Sequence, residues 1–466
     1  MSRWPWWYWL PISAGVVLRI AGLTASPLWY DESFSLAMAR LPLFDMVRTA
    51  SLDFHPPLWE MIAWVSVRLF GVNEFGLRLP SLLASIGALL LAADFAHKLL
   101  KSRAAALGLA ALAVLPYQLW MAQDGRGYAV MSLLYLAAAW FALKGRWLGM
   151  GAALGLMMYV NLAAPFYALT IGALCVGWWR RFQIRRYTLS GVMAVTAFVP
   201  WLSSYVHAAS AKDFWTVPQT LGWFITAIVR AMVVDSLPGD WWTAVAVLTV
   251  LGSIMAAIAI TLIYRERGLV IMAVLGVLPF ALMLLAVPVK NVILYRPLSA
   301  LTAPLVLWWA ASLIRLPGTF LKSFFATAWA LIGIGGLLAW SAAAKGGELE
   351  SLAEVINDEW QPGDVVYHAT ATSALPFDFY LDHPAWVLDE VQHDGLLSWD
   401  VQDALGVRRA ALEDIPHIRA WVVWARDGFE TEAAQTRMSE YVRGGVLIGT
   451  VHYWQAAPIE VWRVER

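Results

Sequence analysis

The sequence predicts a polytopic α-helical membrane protein with about eleven transmembrane helices and a small C-terminal α/β domain outside the membrane. Hydrophobic residues make up 60% of the 466 residues, charged residues make up only 14%, and the mean hydropathy is +0.62. A soluble domain carries about a quarter charged residues, so lipid must surround most of this chain. After Trp340 acids and bases return in ordinary proportion, which indicates a change to a water-soluble domain.

Runs of roughly twenty apolar residues locate the transmembrane helices. The loops on one side are short and basic, whereas the loops on the other side are longer and carry the acids, including Asp31, Asp53 and Asp124. Because basic loops stay in the cytoplasm, we expect a cytoplasmic N-terminus and an external C-terminus. The predicted spans lie near residues 4–23, 79–97, 104–121, 127–143, 147–161, 163–179, 188–206, 241–264, 268–287, 297–314 and 320–341.

The outer loop between the first two spans is too apolar to be a simple connection. Short helices are predicted over residues 34–46 and 58–70. The second of these carries Trp, Glu and Arg side chains, which favour a helix lying in the membrane interface. A later outer loop contains a similar apolar piece from Leu221 to Val234. Together the two loops predict a cavity at the outer surface that is open to both lipid and water.

The C-terminal residues alternate helical and strand patterns, which predicts an α/β domain of their own. We therefore divide the chain into a membrane domain, residues 1–342, and an external domain, residues 343–466. Helical patterns cover 349–357 and 430–442, and strand patterns cover 364–368, 420–424, 446–451 and 459–464.

Two adjacent acids, Asp31 and Glu32, follow the first predicted span in the stretch Trp29-Tyr30-Asp31-Glu32-Ser33. Carboxylates in so apolar a loop are costly unless they are paired or used in function. An aspartate held beside a bound sugar phosphate can act as general base towards an acceptor hydroxyl. The alternative is a solvated pair at the level of the lipid headgroups, and the residues alone leave both interpretations open.

Two further stretches carry candidate site residues. His55 follows Asp53 and precedes two prolines, which make the turn into the next helix rigid. It is either a solvent-exposed residue at a helix start or a ligand for phosphate or metal. Arg126 lies in Gln123-Asp124-Gly125-Arg126-Gly127-Tyr128, where its guanidinium is suited to a lipid-linked phosphate. The alternative is a tight turn in which Asp124 and Arg126 neutralise each other.

A late outer loop, residues 290–297, holds two cations, Lys290 and Arg296, around an apolar and aromatic stretch. They are either phosphate ligands or anchors that reach the headgroups. The motifs of ATP-driven and zinc-peptidase chemistry are absent from the sequence. With 33 basic and 33 acidic residues the net charge is zero, so we predict no nucleic-acid partner.

These stretches occur together in one family. The chain resembles the GT-C-fold glycosyltransferases of the protein O-mannosyltransferase and aminoarabinose-transferase type (glycosyltransferase family 39-like). The likeness rests on the Asp31-Glu32 pair, the H-P-P-L turn at His55, the N-E-F-G-L-R-L-P-S stretch from Asn73 and the Arg-x-Tyr step at Arg126. It covers roughly residues 1–340. It implies an integral membrane enzyme that moves a hexosyl or pentosyl group from a polyprenyl-phosphate-linked donor to a lipid, glycan or protein acceptor.

The resemblance also implies roles for individual residues. Asp31 matches the candidate general base and Glu32 the residue that supports it. Because a base rather than a nucleophilic carboxylate is used, transfer in one step inverts the anomeric carbon. The family commonly has Arg-Tyr where this chain has Tyr295-Arg296, which leaves the role of Arg296 open. The residues that match donor-phosphate or cavity positions are His55, Asp124, Arg126, Tyr128, Lys290 and Arg296.

Cofactor and location follow from the same resemblance. A divalent cation, Mg²⁺ or Mn²⁺, would have Asp31, Asp124 and His55 as candidate ligands, and we favour the metal-free alternative. We expect the protein to be embedded in the bacterial inner (cytoplasmic) membrane, in contact with its lipids. The site and the C-terminal domain are expected on the periplasmic or extracellular side.

Two other functions compete with catalysis. A flippase or transporter would bind a lipid-linked sugar without chemistry, and it would need polar residues within the spans and often an inverted repeat. A scaffold would recruit partners through residues 343–466. Few charges in the spans and acids gathered at one surface favour the enzyme.

Overall fold

The structure, a computed structural model, describes residues 4–53, 55–100, 103–178, 181–210, 220–230, 240–288, 293–342, 347–388, 398–411, 419–425, 432–451 and 458–465. The chain forms two compact units. The membrane unit comprises Met1–Gly22, Arg78–Tyr205 and Thr216–Ala342, and the outer unit comprises Leu23–Leu77, a short segment from Val206, and Ala343–Arg466. The outer unit thus joins the first outer segment to the C-terminal residues, a grouping that the sequence division at residue 342 does not include.

Up to residue 342, the regular elements of the described residues are helices. They are α1 (Trp6–Ile20), α2 (Tyr30–Arg40), α3 (Leu43–Leu52), α4 (Leu58–Phe70), α5 (Glu74–Phe95), α6 (Arg103–Val114), α7 (Pro116–Ala122), α8 (Tyr128–Leu143), α9 (Trp147–Met158), α10 (Ala164–Trp178), α11 (Arg181–Phe198), α12 (Leu202–Ser210), α13 (Leu221–Arg230), α14 (Asp240–Tyr264), α15 (Arg267–Ala286), α16 (Ser299–Leu313) and α17 (Thr319–Ala342).

Helices and strands alternate in the C-terminal part. They are α18 (Leu349–Asp358), β1 (Asp364–His368), α19 (Ala371–Tyr380), β2 (Ala385–Leu388), α20 (Trp399–Ala404), β3 (Arg409–Ala410), β4 (Arg419–Ala425), α21 (Glu432–Tyr441), β5 (Val446–Val451) and β6 (Ile459–Glu465).

The long apolar helices are those of a polytopic membrane protein. By length and composition, five helices in the described part of the chain can cross a membrane, and α6 with α7 makes a sixth if that bent pair is one span. Four further apolar helices, α8, α9, α10 and α16, are shorter. Nine of the eleven predicted spans each fall on one helix, whereas 104–121 covers the bent pair α6 and α7, and 188–206 covers α11 and α12. The total of about eleven spans stays a prediction. The second interfacial piece was predicted over 221–234; α13 covers Leu221–Arg230, and residues 231–239 lie outside the described residues.

The first outer segment contains three helices where two were predicted. Helix α4 has the predicted bounds, but the single helix predicted over 34–46 is wrong, because α2 ends at Arg40 and α3 begins at Leu43. Pro42 explains the break, since the ring of a proline disfavours helical backbone in the residue before it. Leu41 accordingly has an extended ψ of 156°.

Helix α4 has a mixed inner face and an apolar outer face. Its buried side includes Trp59 and Glu60, whereas Met61, Val65 and Leu69 form an exposed stripe. Residues four apart lie on the same helix face, and an apolar stripe on a helix too short to span a bilayer suits the membrane interface. The stripe supports the interfacial helix predicted here.

A six-stranded sheet organises the C-terminal residues, in the order β3-β2-β1-β4-β6-β5. Strands β1 to β4 run parallel, and β6 pairs antiparallel with β4 and β5. All four predicted strands are present. Strands β2 and β3 were not predicted because they have only four and two residues.

A buried ion pair connects the first residues of β1 and β4. The guanidinium of Arg419 donates from Nε to both carboxylate oxygens of Asp364 at 3.0 Å and from Nη2 at 2.5 Å. Trp421 Nε1 and the backbone N–H of Gln361 donate to the same carboxylate at 3.0 Å. Burial alone raises the pKa of Asp364, but these hydrogen bonds outweigh it, and the pKa lies below its ordinary value of 3.8.

The turn between α4 and α5 depends on Gly76. A Cβ on Gly76 would lie 2.1 Å from the carbonyl oxygen of Gly71, which itself has a positive φ of 98°. We expect Gly76→Ala to lower the free energy of unfolding by about 1–3 kcal/mol, since the backbone must move to admit the methyl group. Thermal unfolding of the full chain in lipid nanodiscs measures the effect. Gly172→Ala is the matched control, because a Cβ there meets nothing within 4 Å; equal stability of both variants would contradict the prediction.

Candidate functional site

The predicted base lies in the first turn of α2. Trp29 precedes the helix with extended backbone, and its carbonyl accepts the Ser33 N–H at 2.9 Å, which closes a turn around Asp31 and Glu32. Asp31 is half-buried, whereas Glu32 is 0% exposed. Carboxylates are stabilised at a helix N-terminus. The local structure therefore fixes Asp31 on the first helical turn.

His55 lies beside the same helix. Its ring is 6.1 Å from the ring of Phe34 of α2, and its Nδ1 is 2.6 Å from Asp53 Oδ2. The Asp53 side chain is 5% exposed and that of His55 42% exposed. A buried carboxylate beside one ring nitrogen orients an imidazole and selects its tautomer. Pro57 precedes α4, so the two prolines end this turn as predicted, and Asp53 is the orienting residue that the sequence did not single out.

A third buried acid of the outer unit, Glu60, was also missed as a site residue. It lies on the inner face of α4, and its Oε1 accepts a hydrogen bond from Ser35 Oγ of α2 at 3.0 Å. The same hydroxyl accepts from Trp59 Nε1 at 3.1 Å. The available signal was an acid within an apolar helix, which is costly unless it is partnered. Glu60 joins α4 to the helix that carries Asp31.

The loop that carries Arg126 belongs to the membrane unit and is fixed at both ends. The Gln123 side chain donates to the carbonyls of Arg19 and Ala21, at 3.2 and 2.5 Å, where α1 ends. The backbone carbonyl of Arg126 accepts from Ser81 Oγ of α5 at 3.0 Å, and its N–H donates to the carbonyl of Asp124 at 2.7 Å. Asp124 is 0% and Arg126 3% exposed. A buried guanidinium on a rigid loop suits an anionic group of fixed position.

A buried arginine supports the helix break that leads into this loop. Pro116 lacks an N–H and so leaves a carbonyl at the end of α6 without its helical donor. Arg19 of α1 supplies donors instead, to the carbonyls of Leu112 and Ala113 at 3.3 and 3.0 Å. Its Nε also donates to Ser85 Oγ at 2.9 Å. Arg19, which lies within the first predicted span, therefore stabilises the bend.

Arg296 is tied to α7, the helix just before the Arg126 loop. Tyr117 OH of α7 donates to the carbonyl of Tyr295 at 2.8 Å, and Arg296 Nε donates to the hydroxyl of Tyr295 at 3.1 Å. Tyr295 and Arg296 are half-buried. Lys290, the other predicted cation of this loop, lies outside the described residues. Tyr128 is buried at the first position of α8.

The structure thus places the predicted residues in two sets. Asp31, Glu32 and His55 lie in the outer unit, and Asp124, Arg126, Tyr128 and Arg296 lie in the membrane unit. Among the described residues, no group of three His, Cys, Asp or Glu side chains is arranged to hold a metal ion. We therefore derive no chemical step through a cation, and Mg²⁺ or Mn²⁺ dependence stays untested.

Comparison with known proteins identifies the fold. Residues 54–204 match the family described as dolichyl-phosphate-mannose-protein mannosyltransferase. The crystal structure of ArnT from Cupriavidus metallidurans in the apo state has a TM-score of 0.62 and 15% sequence identity, over 98% of this chain and 97% of ArnT. This chain has the GT-C fold. ArnT bound to undecaprenyl phosphate matches the GT-C protein with a TM-score of 0.60 and 15% identity, over 98% of each chain.

A second GT-C protein is also similar. The oligosaccharyltransferase of Archaeoglobus fulgidus, in a complex with Zn and sulfate, has a TM-score of 0.51 and 13% identity, over 90% of this chain and 68% of that chain. No curated protein sequence matches the chain. The resemblance to GT-C-fold membrane glycosyltransferases is confirmed. The matched family segment contains His55, Asp124, Arg126 and Tyr128, whereas Asp31 lies before it.

Proposed function

We propose that this GT-C protein is an integral membrane glycosyltransferase that moves a sugar from a polyprenyl-phosphate donor to an acceptor outside the cytoplasm. The observation that carries the proposal is the likeness to ArnT over 98% of the chain, including ArnT with undecaprenyl phosphate bound. The acceptor is a lipid, a glycan or a protein. The inner membrane of a bacterium, with the site on the periplasmic side, is the proposed location.

Asp31 is the proposed general base. The acceptor oxygen attacks the anomeric carbon while its proton passes to the Asp31 carboxylate. The bond between the anomeric carbon and the phosphate oxygen breaks, and its electron pair leaves with the phosphate. One displacement of this kind inverts the anomeric carbon. Glu32 lies on the same helical turn and supports Asp31. Both lie in the first turn of α2, where the helix N-terminus stabilises negative charge.

The basic residues of the membrane unit are proposed to stabilise the departing polyprenyl phosphate. Arg126 offers a guanidinium on a loop that Ser81 and Gln123 hold in place. Arg296 lies on the segment tied to α7. Preorganised cations at a developing charge lower the barrier without reorganising during the reaction. Lys290 is proposed to add to the same charge, and Asp124, Tyr128 and His55 to line the donor cavity.

Release of polyprenyl phosphate tests the proposal directly. The full-length protein in lipid nanodiscs receives synthetic polyprenyl-phosphate hexoses or pentoses together with lipid, glycan or peptide acceptors. We expect at least one pairing to release polyprenyl phosphate and to yield a glycosylated acceptor of inverted configuration. The same mixture with unfolded protein is the control.

One result would contradict a transferase, and another would contradict the proposed mechanism. Donor binding without release in every pairing, together with movement of a labelled donor between the leaflets of vesicles, would favour a flippase. A product that keeps the donor configuration would contradict direct displacement with Asp31 as base.

A further inference from the structure

We propose that the C-terminal domain is a positioning element for the catalytic turn: Tyr380 and the core that encloses Trp29 hold Asp31 in its working orientation. This inference rests on the proposed function. It assigns to residues 343–466 a role in the reaction at Asp31. The side chains that carry this role are more than 300 residues from Asp31 in sequence; Leu28 and Tyr380, for example, are 352 residues apart.

Trp29 makes the first connection. Its side chain belongs to the apolar core on one face of the C-terminal sheet, together with Ile356, Phe377, Trp421 and Val461. A large aromatic side chain buried in this way contributes strongly to packing. Because Trp29 is the residue that precedes α2 and accepts the hydrogen bond closing its first turn, the C-terminal core holds the backbone just two residues before Asp31.

Tyr380 makes the second connection. It is the last residue of α19, and its hydroxyl accepts from the Leu28 N–H at 2.7 Å while donating to Glu74 Oε1 at 2.7 Å. One oxygen thus joins the residue before Trp29 to the start of α5, which leads into the membrane. The hydrogen bond from Tyr380 to Glu74 is the stronger for having a carboxylate as its acceptor. Asn357 Nδ2 donates to the backbone carbonyl of Tyr380 at 3.0 Å and fixes the end of α19.

A third contact is weaker. Arg40, the last residue of α2, lies 3.6 Å from Asp378 and 5.5 Å from the centre of the Phe379 ring. Both charged side chains are largely exposed, at 42% and 63%. Exposed ion pairs of this geometry contribute little, since solvent and salt screen them. The positioning therefore depends on Trp29, which precedes α2, and on Tyr380, whose hydroxyl binds the backbone just before Trp29.

Through the same contacts, deletion of the C-terminal domain would also affect the segment that carries Asp31. Removing residues 345–466 would uncover Trp29 and leave the Leu28 N–H without Tyr380. Loss of activity on truncation would then follow from a displaced Asp31 as well as from a lost scaffold. Single hydroxyl deletions separate the two explanations.

Tyr380→Phe is the decisive variant, because it keeps the ring and removes only the bridging oxygen. We expect hydrogen exchange at the Leu28 amide to become roughly tenfold faster, as for the loss of one hydrogen bond. We expect the kcat for polyprenyl phosphate release to fall roughly tenfold to a hundredfold, with the donor KM unchanged, because misplacement of a catalytic group affects the chemical step. Glu74→Gln keeps an acceptor oxygen and should preserve activity. Glu74→Leu should lower kcat as much as Tyr380→Phe does, and the double variant should lose no more than either single variant.

Tyr441→Phe is the matched control, since it removes a buried tyrosine hydroxyl from the apolar cluster formed by other residues of the same domain. It should leave both kcat and Leu28 exchange unchanged. Unchanged Leu28 exchange in Tyr380→Phe, or an equal loss of kcat in Tyr441→Phe, would overturn the inference. If the wild type releases no polyprenyl phosphate from any donor, the proposed function fails, and the catalytic part of this inference fails with it. Faster Leu28 exchange in Tyr380→Phe would then support only the structural connection.

Discussion

Asp31→Asn is expected to reduce the release of polyprenyl phosphate by about 10²- to 10⁴-fold, the range over which a positioned general base contributes. The amide has nearly the shape of the carboxylate but cannot take the proton of the acceptor. Binding of the donor should persist, because the proposed phosphate ligands Arg126 and Arg296 are unchanged. Single-turnover release and donor binding, measured on the same nanodisc sample, separate the two effects.

Asp45→Asn provides the control for this result. Asp45 also lies in the first turn of an outer helix, α3, but it is exposed. It should therefore retain full activity. If Asp31→Asn releases polyprenyl phosphate as fast as the wild type, Asp31 is not the base. The same assay on Asp124→Asn would then test the other buried acid of the predicted motifs.

The positions of the apolar helices could be read from the sequence because the bilayer selects long apolar runs. The bounds of α4 agree for a local reason as well, since Pro57 precedes the helix and Gly71, at positive φ, ends it. The division of 34–46 into α2 and α3 was also readable, because Pro42 lies in the middle of that stretch. These features depend on residues that are close in sequence.

The partners of the segment that carries Asp31 could not be predicted in this way. In the sequence Trp29 is only the residue two positions before Asp31, whereas in the structure it lies in the core of the C-terminal domain. Tyr380 carried no sequence signal at all, because its two hydrogen bonds reach Leu28 and Glu74. Composition locates elements, but it does not say which distant elements pack together. Asp53 and Glu60 were visible as acids in an apolar loop, and only the structure shows that both are partnered, by His55 and Ser35.

His368 predicts how the C-terminal domain responds to acid. The residue is 0% exposed at the end of β1, with Nδ1 3.1 Å from Ser373 Oγ and its ring 5.5 Å from that of Phe377. Burial lowers the pKa of His368 from 6.5 to about 3. The unfolded chain therefore binds a proton below about pH 6.5 that the folded domain does not. The domain therefore has its full free energy of unfolding above that pH, where His368 is neutral in both states. It loses this stability as the pH falls towards 3.

We expect the free energy of unfolding of this domain to fall by about 1.4 kcal/mol per pH unit between pH 6 and pH 4, the effect of one proton. His368→Asn keeps a polar atom for Ser373 and removes the titration, so its unfolding free energy should be lower near neutral pH but flat over that range. Pulse proteolysis of the full chain in urea, followed through a C-terminal tag, measures both. His383→Asn, at a half-buried histidine stacked on Trp360, should retain the wild-type slope.

Asp364 causes a second loss of stability in acid, at a lower pH than the loss caused by His368. Because its pKa is lowered below 3.8 by Arg419 and its other donors against the opposing effect of burial, the stability it contributes is present above that value. This stability is lost only as the pH falls further and the carboxylate is protonated. The His368→Asn domain should therefore still lose stability below about pH 4. A variant as steep as the wild type between pH 6 and pH 4 would show that His368 gains its proton without unfolding and is not the acid-sensitive group of this core.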